Sequence, residues 1–371
     1  MPPIHLLIKP VSGSCNLRCR YCFYCDEMEK RSTANFGRMS LDTLETVVKN
    51  ALSTAEESCG FTFQGGEPTL AGLDFYRALL GFQARYNVNG VPITNAIQTN
   101  GIGLDREWAE FFARNHFLVG ISVDGTKYTH DAYRLTPDGS GSFAAVMDTI
   151  ALFDQCGVEY NVLTVVNKRT ALAVDKVYAF YQKHSWHYLQ FIPCLDPLDE
   201  VPGEQDYSLT PQLYADFLIR LFELWYRDFC HGRQPYIRLF DSWIGMLLGF
   251  APGACDQRGF CTMQFVTEAD GSVYPCDFYV TDAYRLGNWA DTAPDEMRRR
   301  ADALHFDGRS PGIRAEACQG CRYYPLCRGG CARHYVDGKN LFCDSYKQFF
   351  DACLPRMEQV ANFLASRGIG R

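Results

Sequence analysis

At 371 residues the chain is long enough for one large domain of about 200–250 residues and a smaller one, and its 47% hydrophobic and 14% aromatic content can fill a substantial core. A formal charge of -7 speaks against a nucleic-acid surface, which carries a basic excess, so small molecules or peptides are the expected partners. Met1–Lys9 has no charged leader ahead of an apolar stretch, and the longest apolar window, Trp243–Phe250, is far short of the ~20 residues that span a bilayer; a cytoplasmic protein with no membrane partner is expected.

The first expected strand, Leu6–Lys9, leads into Cys15-Asn-Leu-Arg-Cys19-Arg-Tyr21-Cys22. This C-x3-C-x2-C spacing offers three thiolates, whereas a four-iron cluster has four corners to fill. One iron is left open, as in catalytic metal sites that keep a coordination position free. A zinc knuckle is the competing reading, with Cys25 as fourth ligand, although zinc pairs usually read C-x2-C with a matching pair further on.

Ser40 then caps a helical stripe of Leu41, Leu44, Val47, Val48 and Ala51, and the strand Gly60–Gln64 runs into Gly65-Gly66-Glu67. The strand Ile93–Gln98 runs into Thr99-Asn100, and Asp105 precedes a helix carrying Trp108, Phe111 and Phe112. The strand Leu118–Val123 holds Ser122 at its end, ahead of Asp124-Gly125, and Tyr160–Val166 and Tyr188–Ile192 complete the set. Thr210 and Pro211 supply an N-cap and first-turn proline to a long helix with Leu213, Phe217, Leu221 and Trp225. Strands alternating with helices in this way predict an α/β fold, a partial (β/α)6 TIM-like barrel whose chemistry sits at the C-terminal strand ends. Paired glycines after a strand let backbone approach a ligand closely, although Gly-Gly-Glu-Pro alone also reads as a turn.

The barrel is expected to end near Gly232, giving domains 1–234 and 235–371. In the second, Ala251–Ala254 reads as a loop delivering Cys255, Glu268–Tyr274 as a hairpin turning at Asp270-Gly271, and Asp307–Gly312 as a further loop. Seventeen cysteines do not suit a disulfide framework in a reducing compartment. Eight of them, Cys255, Cys261, Cys276, Cys318, Cys321, Cys327, Cys331 and Cys343, make two sets of four, enough to close two [4Fe-4S] clusters. Two thiolate-only zinc sites are the alternative.

The first cysteine run, with Tyr21 before the third thiol, resembles the signature of radical S-adenosylmethionine (SAM) enzymes. The later cysteines resemble the SPASM extension of the peptide-modifying members. More widely, Leu7–Pro10, Phe63–Gly72, Gln98–Gly101, Phe117–Gly120, Cys194–Leu198 and Gly271–Tyr279 resemble the anaerobic sulfatase-maturating enzymes, which oxidise a Cys or Ser of a sulfatase to Cα-formylglycine. This resemblance implies SAM and three [4Fe-4S] clusters as cofactors. It places Cys15, Cys19 and Cys22 on the SAM-binding cluster, Cys255, Cys261, Cys276 and Cys331 on a nearer auxiliary cluster, and Cys318, Cys321, Cys327 and Cys343 on a farther one. Gly65, Gly66 and Glu67 would contact the SAM amino group, Ser122 the ribose, Arg134 the carboxylate and Leu195 the adenine.

The resemblance also makes Asp277 the base that takes the substrate proton while a 5'-deoxyadenosyl radical removes a Cβ hydrogen and an auxiliary cluster takes one electron. As a lone residue Asp277 reads more readily as a turn aspartate than as a base. Tyr24, Gln64 and Gln98 adjoin the SAM loops and are candidates to hold the peptide. The implied partners are an unfolded or nascent sulfatase polypeptide with a Cys/Ser-x-Pro/Ala-x-Arg motif and an electron donor such as flavodoxin or ferredoxin, acting on a monomer. The alternatives are a SPASM-type maturase that crosslinks another ribosomal peptide, for which the cysteines at position 15 leave no room for an amino-terminal leader-recognition domain, and an iron-sulfur or zinc scaffold without turnover.

Overall fold

The computed structural model describes residues 3–306 and 316–370; the loop expected at 307–312 lies outside the described residues. Ten strands concern the site: β1 (Ile4–Ile8), β2 (Cys59–Phe63), β3 (Ile93–Thr99), β4 (Leu118–Ser122), β5 (Tyr160–Val166), β6 (Tyr188–Pro193), β7 (Tyr236–Ile237), β8 (Val266–Thr267), β9 (Ser272–Tyr274) and β10 (Gly287–Asn288). The main helices are α1 (Phe23–Glu29), α2 (Leu41–Thr54), α3 (Leu73–Tyr86), α4 (Arg106–Arg114), α5 (Phe143–Cys156), α6 (Val174–Lys183), α7 (Pro211–Cys230), α8 (Arg238–Leu247) and α9 (Cys343–Ser366). All six expected strands form, with ends within two residues of the sequence reading.

The chain divides into two compact units. The first, built from Met1–Ser122, Arg134–Tyr160 and Thr262–Asp307, carries strands in the order β10-β9-β8-β1-β2-β3-β4. From β1 to β4 the pairing is parallel, and β8 adds to β1 in parallel at Leu7↔Val266. The hairpin β8–β9 is antiparallel, turning at Gly271 with φ +85, a backbone conformation that glycine adopts without strain. Buried Phe61 and Phe63 of β2 face a layer of aromatic rings, with Phe63 edge-on to Tyr76 of α3 at 5.1 Å. The second unit, Val123–Tyr133, Asn161–Cys261 and Gly308–Arg371, contains β6 paired in parallel with β5 and β7. There α7 and α9 pack together, with Phe222 edge-on to Phe349 and the Tyr226 hydroxyl donating to Gln359 at 2.8 Å.

Local chemistry explains where the helices begin. Ser40, Asp105 and Thr210 each accept a hydrogen bond from the backbone N–H three residues on, at Thr43, Trp108 and Leu213, satisfying a donor that has no partner inside the helix. Leu44, Val47, Val48 and Ala51 form the buried face of α2 as expected, but Leu41 in the first turn is 50% exposed. Helices α1, α3, α5, α6, α8 and α9 and the two-residue strands were not named from the sequence. Two residues carry no periodicity, and α9 contains Pro355, which reads as a break. Replacing Ser40, Asp105 or Thr210 by alanine is expected to cost about 1 kcal/mol each, with Ser40→Ala and Asp105→Ala additive because their helices are separate; urea unfolding of the three variants checks this.

Candidate active site

The loops after β1, β2 and β3 are fastened to one another by short contacts. Gly66 has φ +54, and a Cβ there would stand 2.1 Å from the backbone oxygen of Ser14, so a side chain cannot be accommodated without moving the cysteine loop. The next amide, Glu67 N, donates to that same Ser14 oxygen at 2.8 Å. The buried Glu67 carboxylate accepts from Thr69 N, Thr69 Oγ1, Thr99 Oγ1 and Asn100 N at 2.7–3.1 Å, which ties the Gly-Gly-Glu loop to the end of β3. Asn100, absent from the sequence-derived site, directs its side-chain amide to Cys15 Sγ at 3.6 Å and to Asn16 at 2.7 Å. Its place directly after β3, level with the cysteine loop, was the available signal.

Cys15 also accepts from Leu17 N at 3.3 Å, and burial is the largest influence pushing its thiol up to about 11. Cys22 occupies the N-cap of α1 and is lowered to about 6, first by a hydrogen bond with Cys25 and then, against the opposing effect of burial, by backbone amides and the charge of Arg134. The Arg134 guanidinium lies over the Tyr21 ring, 5.6 Å from its centroid. Gln98 Nε2 donates to Ser122 Oγ at 3.0 Å. In the other unit, partly buried Leu195 precedes Asp196, whose backbone oxygen accepts from Arg333 Nη2 at 3.0 Å.

Asp277, Tyr24 and Gln64, separated by up to 253 positions, meet in the first unit. The Tyr24 hydroxyl donates to Asp277 Oδ2 at 2.7 Å, and Gln64 Nε2 donates to the same oxygen at 3.1 Å and to the Tyr24 oxygen at 2.7 Å. Asp277 Oδ1 is buried and has no hydrogen-bond partner among the described residues. Burial raises the Asp277 pKa, while Lys9, Tyr24 and Gln64 oppose it. Lys9, which the sequence reading passed over as a strand end, has its Nζ 4.6 Å from the Tyr24 ring centroid, 3.3 Å from Glu27 Oε2 and 3.4 Å from Glu268 Oε1. Glu268 takes a second cation, Arg31, at 2.6 Å.

Seven of the eight later cysteines lie within the second unit. Cys318, Cys321, Cys327 and Cys343 line one cleft together with Tyr346. Burial pushes the Cys327 thiol up to about 12, with Cys343, Cys318 and Cys321 each adding to the rise. Cys331 is raised to about 12 by burial and also feels Cys255 and Cys261, so those three are neighbours. Cys276 belongs to the first unit, directly before Asp277. Among the described residues no three His, Cys, Asp or Glu side chains are drawn in to the spacing of one bound metal ion. The all-thiol donor set of each group fits an iron-sulfur cluster by ligand type.

The sequence pattern of the Radical SAM superfamily matches residues 10–180, the stretch that contains the three-cysteine loop and the glycine loop. Over 99% of its length the chain is 46% identical to the cysteine-type anaerobic sulfatase-maturating enzyme of Clostridium novyi, and the match spans 100% of that protein. It is 31% identical to the serine-type enzyme of Bacteroides thetaiotaomicron, covering 96% of this chain and 91% of that one. The solved structure of native anSMEcpe with bound AdoMet and Cp18Cys peptide superposes with a TM-score of 0.91 at 43% identity, covering 98% of this chain and 100% of that one. The fold and loops are therefore those of a radical SAM enzyme with a SPASM-type C-terminal region. Within that class the chain belongs to the anaerobic sulfatase-maturating enzymes.

Two outcomes follow from this geometry. Gly66→Ala is expected to cost more than Gly65→Ala, because the first meets backbone at 2.1 Å and the second the Lys9 side chain at 2.7 Å; the extra strain is about 1–3 kcal/mol, read by unfolding titration and by the iron retained after anaerobic reconstitution. Glu27 is raised from 4.5 to about 8 by burial, against the pull of Lys9 and Arg31 and with the help of Asp277; Glu268, through Lys9, and Tyr24 complete its charged and titratable surroundings. Between those two pH values the folded protein holds a proton that the unfolded chain has released, so this contribution to stability falls as pH rises. Glu27→Gln should flatten that fall, measured as the difference in unfolding free energy at the two ends of the window.

Proposed function

We propose that the protein oxidises a cysteine in a sulfatase polypeptide to Cα-formylglycine, with Asp277 as the base for the cysteine thiol. The observation that carries the reading is the divided Asp277 carboxylate. Tyr24 and Gln64 hold one oxygen, which fixes the orientation of the group, and the other is buried and unclaimed among the described residues, available to a substrate S–H. A base of this kind must lie within hydrogen-bond reach of its proton, and burial that raises a carboxylate's pKa strengthens it as an acceptor. The greater identity to the cysteine-type relative than to the serine-type one supports cysteine as the preferred residue.

Cys15, Cys19 and Cys22 would hold the SAM-binding cluster, with Gly65, Gly66, Glu67, Ser122, Arg134 and Leu195 placing SAM and Tyr21 packing beneath Arg134. When bound, that pair supplies a 5'-deoxyadenosyl radical able to take a hydrogen atom from the substrate Cβ. Asp277 takes the sulfur proton, the one electron left on the substrate would pass to an auxiliary cluster, and the resulting thioaldehyde exchanges sulfur for oxygen with water, releasing hydrogen sulfide. Tyr24, Gln64 and Gln98 line the same loops and hold the peptide near the base. Cys255, Cys261, Cys276 and Cys331 form one auxiliary set and Cys318, Cys321, Cys327 and Cys343 the other, for three clusters in all, with residues 1–234 carrying the SAM chemistry and 235–371 the auxiliary clusters. The setting we infer is a cytoplasmic monomer that receives electrons from a small carrier such as flavodoxin or ferredoxin and acts on unfolded sulfatase; among the described residues no helix is long and apolar enough to cross a membrane.

Anaerobic incubation of the reduced enzyme and SAM with a Cys-x-Pro-x-Arg peptide should remove about 18 Da from the peptide. Asp277→Asn should still form 5'-deoxyadenosine while formylglycine falls by at least about 100-fold, the scale of general-base catalysis. A persistent loss of about 2 Da in the parent enzyme would assign a crosslinking or thioaldehyde-releasing activity instead.

A further inference from the structure

Lys9 stands where three parts of the first unit converge. Its backbone N–H donates to Thr267 O at 2.8 Å, joining the end of β1 to β8. Its stem runs under the glycine loop, so that a Cβ on Gly65 would lie 2.7 Å from Lys9 Cγ and 2.8 Å from Cε. Its ammonium is held between Glu27 of α1 and Glu268 after β8, against the face of the Tyr24 ring, and Tyr24 is the residue that holds Asp277. The lysine side chain is 2% exposed and the Glu268 side chain 0%.

Stability does not account for such an arrangement. Taking an ion out of water costs several kcal/mol even after relaxation, and well-packed apolar replacements of buried ion pairs are often neutral or stabilising. What the charges provide is direction: two carboxylates on different elements fix one ammonium, and that ammonium fixes the tyrosine ring. We propose that Lys9 is a positioning residue that registers the Tyr24–Asp277 pair against the glycine loop, so that hydrogen-atom removal and proton removal fall on the same substrate cysteine. The proposal rests on Asp277 being the base. Without Lys9, SAM cleavage continues but loses its coupling to product.

The experiment compares the parent full-length enzyme with Lys9→Met and with the double variant Lys9→Met/Glu27→Gln. The double variant removes both partners of the pair together and leaves Glu268 its Arg31 partner, so neither Glu27 nor Glu268 is left as a buried carboxylate without a cation. The expected result is a double variant with the parent's melting temperature, iron content and affinity for the Cys-x-Pro-x-Arg peptide. Its ratio of 5'-deoxyadenosine to formylglycine should rise at least tenfold, through a lower kcat with peptide KM unchanged. An unchanged ratio would overturn the proposal. So would loss of folding or iron in step with loss of product, which would make Lys9 a residue of stability alone. Formylglycine formation by Asp277→Asn at the parent's rate would instead defeat the reading of Asp277 as base, an outcome separate from either of these.

Discussion

A buried ammonium has no water to solvate it, and the surroundings of Lys9 are arranged to provide a substitute. Glu27, Glu268 and the Tyr24 ring take the positions that water would occupy, and Arg31 keeps Glu268 oriented from its other side, itself fixed by Ser12 Oγ and the Ala34 carbonyl. The Glu268 carboxyl sits below its ordinary range because Lys9 and Arg31 outweigh the opposing effect of burial. Two cations face three carboxylates once Asp277 is counted. Glu27 is raised to about 8 and Asp277 is raised as well, so a proton taken up within the cluster brings it to balance. Charge balance and the geometry of the Asp277 pocket are in this sense one constraint, and it spans β1, α1 and the β8–β9 hairpin.

The same economy of contacts holds on the loop side. Ser14 O receives Glu67 N at the point where only a glycine at 66 allows the approach, so the three-cysteine loop and the glycine loop move as one body. Glu67 lies inside the protein with four donors on its carboxylate, so its evident work is to lock the ends of β2 and β3. On the proposed SAM site the backbone of Gly65 and Gly66 would approach the ligand closely, the role for which glycines are suited, on a loop whose shape Glu67 sets. An acidic side chain in a glycine loop thus has a scaffolding function that its charge alone does not reveal.

What was legible in the sequence is what local chemistry encodes. Ser40, Asp105 and Thr210 announce helix starts because capping needs only a side-chain oxygen three residues from an amide, and Asp270-Gly271 announces a hairpin because its turn favours a positive φ. The cysteines stand out by spacing, and Asp277 by its place beside one of them. Lys9, Glu27, Arg31 and Glu268 carry no such mark. Each looks like an ordinary surface charge in its own segment, and Lys9 even resembles a strand end. Their meaning lies in a meeting of segments up to 259 positions apart, which no periodicity records. The long helix α9 was missed for a different reason, since Pro355 suggests a boundary that tertiary packing against α7 overrides.

The two groups of thiols differ in a way that bears on how the protein is assembled. In the three-cysteine loop Cys22, at the start of α1 and near Arg134, is lowered to about 6 and favours the thiolate near neutral pH, whereas burial pushes Cys15 up to about 11. Cys327 and Cys331, buried in the second unit, are raised to about 12 and remain protonated until a cation is brought to them. A thiolate is the form that binds metal, so loading the second group must release protons and replace burial's penalty with the attraction of the metal. On the proposed assignment, the buried thiols of the second unit give up protons as iron enters. Folding of that unit and acquisition of its clusters are then linked equilibria, whereas the SAM-binding loop, held in shape by Ser14, Glu67 and Asn100, is prepared to receive its cluster on a scaffold that is already built.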